Sequence, residues 1–174
     1  VCNLVDAHST EINAETTHPV IDLLPEQKGV TEISGTLRLG AYAATIKNIT
    51  AVHHLYEKTG RMQRDQERMR TLQYQGDAIR VGRTPLDHTI LERHRHRYEQ
   101  NPKYIDLLEK NGMIFSGYHE RNDGTKLMEF IELNHRFFSA TQAHPEFKSR
   151  LQDPSPLFYG FIEAAKTLKH TKTS

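Results

Sequence analysis

Thiols are nearly absent from this sequence, in which Cys2 is the only cysteine among 174 residues. An internal disulfide is therefore excluded, which fits a reducing compartment and predicts a cytoplasmic protein. Long apolar runs are missing too, since no stretch approaches the roughly 20 residues of a membrane-spanning helix. The net charge is only +1, so the chain as a whole has no attraction to nucleic acid or to a membrane. We expect neither as a partner.

What remains is a polar sequence of single-domain length. Apolar residues make up 36% and the mean hydropathy is −0.68, which is typical of a soluble protein with one core. Strand and helix patterns follow one another along the chain, which predicts an α/β fold. The turn sequence Asn122-Asp123-Gly124 predicts a hairpin. Strand patterns occupy 35–43, 113–118, 127–133 and 137–142, and helical patterns occupy 48–72, 102–108 and 156–168.

The segment from Gln142 to Phe147 contains His144 and Glu146, separated by Pro145. Pro145 biases His144 toward an extended backbone, in which residues i and i+2 lie on the same side. In that geometry Glu146 orients the imidazole as a general base for a Cys or Ser nucleophile. The alternative is a helix start, with Pro145 at the first position and Glu146 near the positive helix end. Spacing alone favours the helix start, because such signals are common.

Arginine and histidine alternate in the run from Glu92 to Glu99. In a strand, Arg93, Arg95 and Arg97 lie on one face and the two histidines between them on the other. The arginines suit an anion or carboxylate clamp, the histidines a metal site, and the whole run a nucleic-acid patch. The remaining alternative is a solvated edge strand. The sequence has no further ligand pair for a metal and no interleaved aromatics for nucleic acid, so neither is predicted.

Two other polar segments indicate little on their own. Ser9-Thr10-Glu11 is typical of a helix cap or a turn. The segment 61–83 places arginines and acids of mixed sign at helical spacing. This pattern favours a solvated helix face over a binding patch.

Taken in order, several of these segments resemble the glutamine amidotransferase domain of the CTP synthase family. The arginine-histidine run is the most specific, because it distinguishes this family from other class I amidotransferases, whereas His-Pro-Glu marks only the wider class. The resemblance covers most of the chain except about residues 50–88. The matching segments are 7–11 (Ala-His-Ser-Thr-Glu), 35–40 (Gly-Thr-Leu-Arg-Leu-Gly), 92–99, 144–147 (His-Pro-Glu-Phe) and 156–161.

The resemblance implies the C-terminal part of a flavodoxin-like, class I amidotransferase domain. Its expected fold is a central, mostly parallel sheet flanked by helices, with an added antiparallel hairpin. Residues 1–174 would all belong to this domain, with an insertion at about 50–88. The implied reaction is hydrolysis of glutamine, whose ammonia then aminates UTP to CTP in an ATP-dependent step.

The resemblance also assigns roles to four residues. His144 is the general base and acid, and Glu146 orients it and stabilises its imidazolium. Glu11 matches the carboxylate that binds glutamine, which suits the α-ammonium group. Arg97 matches another glutamine contact, where a cation suits the α-carboxylate.

The family's nucleophile lies in a Gly-x-Cys-x-Gly turn upstream of the Ser-Thr-Glu segment. Cys2 has no glycine on either side and is too close to Glu11 to be that residue. We therefore expect the nucleophile and its oxyanion hole to lie outside this chain, and the chain alone to be inactive.

We expect no cofactor and no metal in this chain. The resemblance implies ATP and Mg²⁺ in an upstream synthetase domain of the same polypeptide, GTP as an allosteric activator, and a homotetrameric parent. Two alternatives stay open. One is a non-catalytic amidotransferase-like module with a regulatory or interaction role, and the other is a class I amidotransferase with another acceptor. The run from Arg93 to Arg97 argues against the latter.

Overall fold

The structure is a computed structural model that describes residues 2–28, 37–74 and 78–171. The family-like segment at 35–40 begins outside these residues, and 75–77 of the expected insertion also lie outside them. No helix in the described part is both long and apolar enough to cross a membrane. The elements in chain order are β1 (Ala7–Ser9), β2 (His18–Asp22), β3 (Arg38–Ile46), α1 (Ala51–Lys58), α2 (Arg61–Tyr74), α3 (Ala78–Val81), β4 (Thr89–His96), β5 (Glu99–Gln100), α4 (Ile105–Lys110), β6 (Met113–Glu120), β7 (Lys126–Leu133), β8 (Ser139–Thr141) and α5 (Pro156–Thr171).

Short 3-10 turns that begin with proline occur at Pro25–Gln27, Pro102–Tyr104 and Pro145–Phe147. Proline suits the first position of such a turn, because its φ is already fixed and its missing N–H needs no partner there. The helix predicted at 102–108 starts with the second of these turns and continues as α4. The helix predicted at 156–168 is α5.

The described strands form two sheets. In the larger sheet the order is β4-β3-β6-β7-β8, and every neighbouring pair is antiparallel. In the smaller sheet, β1-β2-β5, the first pair is parallel and the second antiparallel. A mixed α/β fold is therefore confirmed. The expectation of a mostly parallel central sheet is wrong for the described residues.

Connection length explains part of this difference. Parallel neighbours need a crossover of roughly a dozen or more residues. Strands β6 and β7 are joined by 121–125, and β7 and β8 by 134–138, so neither pair can be parallel. The connection from β3 to β4 is longer and contains helices. These helices bring the chain back beside the C-terminal end of β3, so β4 starts there and pairs antiparallel with β3.

The turn between β6 and β7 is the predicted hairpin. Gly124 has φ 89°, a value that glycine adopts without strain, and its N–H donates to the carbonyl of Arg121 over 2.9 Å. Asp123 Oδ1 accepts a hydrogen bond from the N–H of Thr125 over 2.8 Å. Local turn chemistry thus determines this connection.

Strands β3 and β4 contribute to two apolar clusters. Ala44 and Ile90 belong to one cluster, with side chains from α1 and α5. Ala43 and Leu91 belong to the other, with Met69 of α2. Since successive strand residues point to opposite faces, this part of the sheet is covered on both sides. The helices between β3 and β4 are therefore part of the core.

Helix α2 differs from the solvated helix predicted for 61–83. Arg61 and Asp65 are each only 4% exposed, so that prediction is wrong for one side of the helix. The opposite side fits it, because Glu67 and Arg70 are exposed and pair at 2.8 Å. The buried side lies against β4, and its charged groups are held by partners described below.

Candidate active site

His144 and Glu146 form a close pair at the surface. The imidazole Nδ1 lies 2.7 Å from Oε1 of Glu146, and the two side chains are 37% and 52% exposed. The carboxylate can only accept this hydrogen bond, so Nδ1 is the donor, and in the neutral imidazole Nε2 then keeps a lone pair. The hydrogen bond from His144 lowers the pKa of Glu146 and so favours the ionised carboxylate. The pair has the chemistry of a general base with its orienting group.

A 3-10 turn brings the pair together, and the predicted extended backbone is wrong from Pro145 onward. Strand β8 ends at Thr141, and the N–H of Phe147 donates to the carbonyl of His144 over 3.1 Å. Pro145 opens the turn and Glu146 lies in it, as the helix-start interpretation predicts. The helix-start signal and the His-Glu contact therefore occur together, since the turn itself closes the contact.

The arginine-histidine run lies directly beside this turn. The N–H of His144 donates to the carbonyl of Arg93 over 2.7 Å. Phe147 stacks on the His144 ring with 5.0 Å between centroids, and the guanidinium of Arg93 lies 6.0 Å from the Phe147 centroid. Gln142 Nε2 donates to the carbonyl of Tyr98 over 2.7 Å. The turn is thus attached to both ends of the run.

The run itself alternates as predicted. Arg93 and Arg95 are exposed on β4, whereas His94 is buried and His96 is partly buried. Strand β4 is at the edge of the larger sheet, so the solvated edge strand is correct for the arginine face. The histidine face is not a solvated face, because its side chains are buried or partly buried and His96 Nε2 lies 2.9 Å from the buried Glu99 Oε1. No group of three or more His, Cys, Asp or Glu side chains in the described ranges is arranged to hold a metal ion.

Glu11 lies at one end of the small sheet. It is exposed and follows β1, and the hydroxyl of the preceding Thr10 donates to Asp22 Oδ1 over 2.8 Å. Asp22 pairs with Glu99 across the β2–β5 ladder. The end of β1 and the start of β5 are therefore at the same end of the small sheet. Glu11, just after β1, and Arg97, just before β5, both lie at this end.

Arg97 is partly buried in the connection from β4 to β5. Its Nε is buried and has no hydrogen-bond partner among the described residues. An unpaired guanidinium N–H suits an anionic ligand. The neighbouring Tyr98 is held by Gln142, which fixes the backbone next to Arg97 against the turn. Within the described residues no hydrogen bond or ion pair joins Glu11 or Arg97 to His144 itself.

Arg38 is the centre of a buried charged cluster that the sequence reasoning missed. Its guanidinium lies 3.2 Å from Glu99 Oε1 and 2.5 Å from Glu129 Oε1. Burial raises the pKa of Glu129 to about 7, although the charge of Arg38 opposes the shift. Burial lowers the pKa of His119 to about 4 and also lowers the pKa of His94, and Arg38 adds to both shifts. The cluster joins β3, β5 and β7 beneath the arginine-histidine run.

Lys148 connects the 3-10 turn to a second buried cluster that was also missed. Its Nζ lies 2.8 Å from Asp65 Oδ1 and 3.5 Å from Glu92 Oε1, and it contacts the carbonyl of Leu91. The hydroxyl of Tyr56 donates to the same oxygen of Glu92 over 2.9 Å. Burial raises the pKa of Glu92, and the charge of Lys148 opposes this. Helices α1 and α2 thereby fix the segment that follows the turn.

The thiol of Cys2 lies against a different element. Its Sγ is 3.8 Å from the carbonyl of Leu107 on α4, which packs against β6. The turn after His144 packs against β4, and β3 separates β4 from β6 in the sheet. Among the described residues no contact joins this thiol to His144.

This combination of fold and side chains is matched by a known family. The sequence pattern described as "Glutamine amidotransferase class-I" matches residues 37–164, which is most of the chain. The matched stretch includes the arginine-histidine run and the His144 turn. The chain belongs to the class I glutamine amidotransferase family.

Curated relatives narrow the comparison to CTP synthases. The chain is 45% identical to the CTP synthase of Archaeoglobus fulgidus and 46% identical to that of Methanococcus maripaludis. Each match covers 95% of this chain and 25% of the relative, so the chain spans about a quarter of their length. The resemblance to the amidotransferase part of CTP synthase is thereby confirmed.

A solved structure shows the same likeness. The Trypanosoma brucei CTPS glutaminase domain with bound acivicin superimposes with a TM-score of 0.71 and 28% sequence identity. The match covers 96% of this chain and 53% of that chain. The likeness in fold therefore extends over almost the whole sequence.

Proposed function

We propose that this chain is the glutaminase part of a CTP synthase, which hydrolyses glutamine to supply ammonia for the ATP-dependent amination of UTP to CTP. The observation that carries the proposal is the 2.7 Å contact between Nδ1 of His144 and Oε1 of Glu146. It orients a base whose Nε2 can accept a proton. The similarity to CTP synthases and to a CTPS glutaminase domain supports the same assignment.

In this proposal the nucleophile is a cysteine thiol in another part of the polypeptide. His144 Nε2 takes the thiol proton as the sulfur attacks the side-chain amide carbon of glutamine. The imidazolium gives that proton to the amide nitrogen, and the C–N bond breaks to release ammonia and leave a thioester. His144 then takes a proton from water, which attacks the thioester; the proton returns to sulfur as glutamate leaves. Glu146 stabilises the imidazolium in both halves of the reaction.

Glutamine itself is proposed to lie between two opposite charges. Arg97, whose buried Nε has no partner in the ranges that the structure describes, suits the α-carboxylate, and the exposed Glu11 suits the α-ammonium group. Their shared position at one end of the small sheet supports this pairing. Both charges are on short connections that the sheet holds in place.

The remaining properties are proposed for the polypeptide that carries this chain. They are a synthetase domain with ATP and Mg²⁺, activation by GTP, a homotetrameric assembly and a cytoplasmic location. No cofactor is proposed within the chain, and the extra length at about 50–88 is proposed to be an insertion relative to the family. The chain matches only about a quarter of each CTP synthase, which supports the proposal that its polypeptide carries a second domain.

The test is His144→Ala in the full polypeptide, assayed with glutamine and with ammonia as nitrogen donors. Glutamine-dependent CTP formation should fall by several orders of magnitude, because the base is lost. Ammonia-dependent CTP formation should stay within about twofold of the parent, because it bypasses the glutaminase step. His135→Ala is the matched control, since His135 is exposed and lies outside the turn.

Retained glutamine-dependent activity in His144→Ala would contradict the proposal. A loss of both activities would show a structural role for His144 and would contradict it as well. The isolated chain should not hydrolyse glutamine, because its one cysteine, Cys2, lies against α4 and not beside His144. Turnover by the isolated chain above its own His144→Ala variant would refute the external nucleophile.

A further inference from the structure

The connection between strands β4 and β5 consists of only two residues, Arg97 and Tyr98. Arg97 is the side chain that is proposed above to bind the α-carboxylate of glutamine. The residues on either side of the connection, His96 and Glu99, lie 2.9 Å apart, measured from Nε2 of the imidazole to Oε1 of the carboxylate. Because the carboxylate can only accept, the imidazole donates this hydrogen bond. The two ends of the connection are therefore joined to each other.

Arg38 holds both ends of this connection from strand β3. Its Nη1 donates to the same Oε1 of Glu99 over 3.2 Å and lies 3.5 Å from Nε2 of His96. Arg38 and His96 are also opposite each other in the β3–β4 ladder. A single guanidinium group thus contacts the residue before Arg97 and the second residue after it.

The guanidinium of Arg38 is itself fixed by two further contacts. Its Nη2 donates to Oε1 of Glu129 over 2.5 Å, and its central carbon lies 4.8 Å from the centroid of the Tyr42 ring. Arg38, Glu99 and Glu129 are all buried. Charge-assisted hydrogen bonds from a planar fork to two carboxylates are strong and define one orientation of the group. Arg38 is therefore a rigid support.

Gln142 holds the same connection at its middle. The N–H of Gln142 donates to the carbonyl of Glu129 over 2.9 Å, and its Nε2 donates to the carbonyl of Tyr98 over 2.7 Å. The backbone that carries Arg97 is thus fixed at both ends and at Tyr98. The side chain of Arg97 differs, because its buried Nε has no hydrogen-bond partner in the described part of the chain. A fixed backbone with a side-chain donor to spare suits a ligand contact.

We propose that Arg38 is a positioning residue for glutamine binding, because it fixes the connection that places Arg97 at the α-carboxylate. This inference rests on the proposed function, in which Arg97 makes that contact. A cation that is already in place needs little ordering when the ligand binds. Loss of the support should therefore weaken glutamine binding and leave the chemistry at His144 unchanged. Among the described residues, no hydrogen bond or ion pair joins Arg38 to His144.

The test is Arg38→Lys in the full polypeptide, which keeps the positive charge but removes the planar fork. The KM for glutamine should rise at least about tenfold, whereas kcat should stay within about threefold of the parent. Glu132→Ala is the matched control, because Glu132 is a buried carboxylate on β7 that contacts the start of α1 and not Arg38. Its KM for glutamine should change by less than about twofold. A thermal melt compares the folding of each variant with that of the parent.

A double-mutant cycle shows whether Arg38 acts through Arg97. Arg97→Gln alone should raise the KM for glutamine, and the double variant R38K/R97Q should raise it no more than about twofold further. Glu99→Gln is a second way to weaken the support, and it leaves Arg38 paired with Glu129. It should also raise KM with little change in kcat, and it decides the question if Arg38→Lys does not fold.

A fall in kcat at unchanged KM in these variants would overturn the inference. Independent effects, in which the KM increases of Arg38→Lys and Arg97→Gln multiply in the double variant, would overturn it as well. Both results leave the proposed function intact, provided that His144→Ala still abolishes glutamine-dependent CTP formation. Retained glutamine-dependent activity in His144→Ala contradicts the proposed function whatever the Arg38 variants do.

Discussion

Nζ of Lys148 lies 2.8 Å from Oδ1 and 2.9 Å from Oδ2 of Asp65, so the segment after the His144 turn is bound to helix α2. Asp65 also accepts a hydrogen bond from the N–H of Leu91 over 3.1 Å. The lysine, the helix and strand β4 therefore meet at one carboxylate. Residues about 50–88, the expected insertion, thus contribute directly to the support of the candidate active site.

Removal of the positive charge of Lys148 should lower the stability of the fold. In Lys148→Met, Asp65 and Glu92 remain buried, at 4% and 2% exposure, without their cation. The free energy of unfolding should fall by about 3–5 kcal/mol, as for other broken buried pairs. Urea denaturation measures the change. Lys47→Met is the control, because its pair with Glu109 is exposed and should be worth less than about 1 kcal/mol. Equal small losses in both variants would contradict this account.

Glu132 caps helix α1 from a distant strand. Its Oε2 and Oε1 accept the N–H groups of Ala51 and Val52 over 3.0 and 2.9 Å. Glu132→Ala leaves these helix N-terminal donors without their acceptor and should lower the free energy of unfolding by about 2 kcal/mol. Chemical denaturation provides the test, and Glu109→Ala serves as an exposed control. A loss no larger than that of the control would rule out the capping role.

Local chemistry predicts the parts of this structure whose partners are near in sequence. The hairpin at Asn122-Asp123-Gly124 and the contact of His144 with Glu146 each need only a few consecutive residues, and both are present. Lys148 and Asp65 are 83 residues apart, so no local pattern indicates that they meet. The same limit explains why one side of α2 was expected to be solvated.

Buried charge is the second feature that a sequence pattern misses. Arg38 and Glu129 are within strands, where alternation normally assigns charged residues to the solvent face. Here they face each other at 2.5 Å between β3 and β7, and each makes burial of the other tolerable. Strand direction is missed for a similar reason. Strands β3 and β4 pair antiparallel because of the path that the helices between them take, and no local sequence pattern indicates that path.

Acid should destabilise the fold through His119. Its Nδ1 lies 2.7 Å from the carbonyl of Ala43, and burial lowers the pKa of the imidazole from 6.5 to about 4. The unfolded chain therefore binds more protons between these pH values, so this contribution to stability is present above pH 6.5 and is lost as the pH falls to about 4. Glu129, whose pKa is raised to about 7, acts in the opposite direction.

The variant His119→Asn isolates this effect, because the amide can still donate to Ala43 but does not titrate. Between pH 6.5 and pH 4 the parent should lose roughly 2–3 kcal/mol more unfolding free energy than the variant. Urea denaturation at a series of pH values measures the difference. His135→Asn, at an exposed position, should follow the parent. Parallel pH curves for the parent and His119→Asn would exclude His119 as the titrating group.

Glu146 should affect the glutaminase step and leave the fold intact. Its side chain is 52% exposed, and the hydrogen bond from His144 lowers its pKa. Glu146→Gln keeps an acceptor for Nδ1 but removes the negative charge that stabilises the imidazolium. In the full polypeptide, kcat/KM for glutamine should therefore fall by about two to four orders of magnitude.

Ammonia-dependent CTP formation in Glu146→Gln should stay within about twofold of the parent, because the charge acts only through His144. Glu163→Gln is the matched control, since Glu163 is a carboxylate on α5 with a 40% exposed side chain that pairs with Lys166. In His144→Ala, the pKa of Glu146 should rise toward its ordinary value, which carbon NMR of the carboxylate can measure. An unchanged pKa of Glu146, together with full glutaminase activity in Glu146→Gln, would show that the 2.7 Å contact has no role in the reaction.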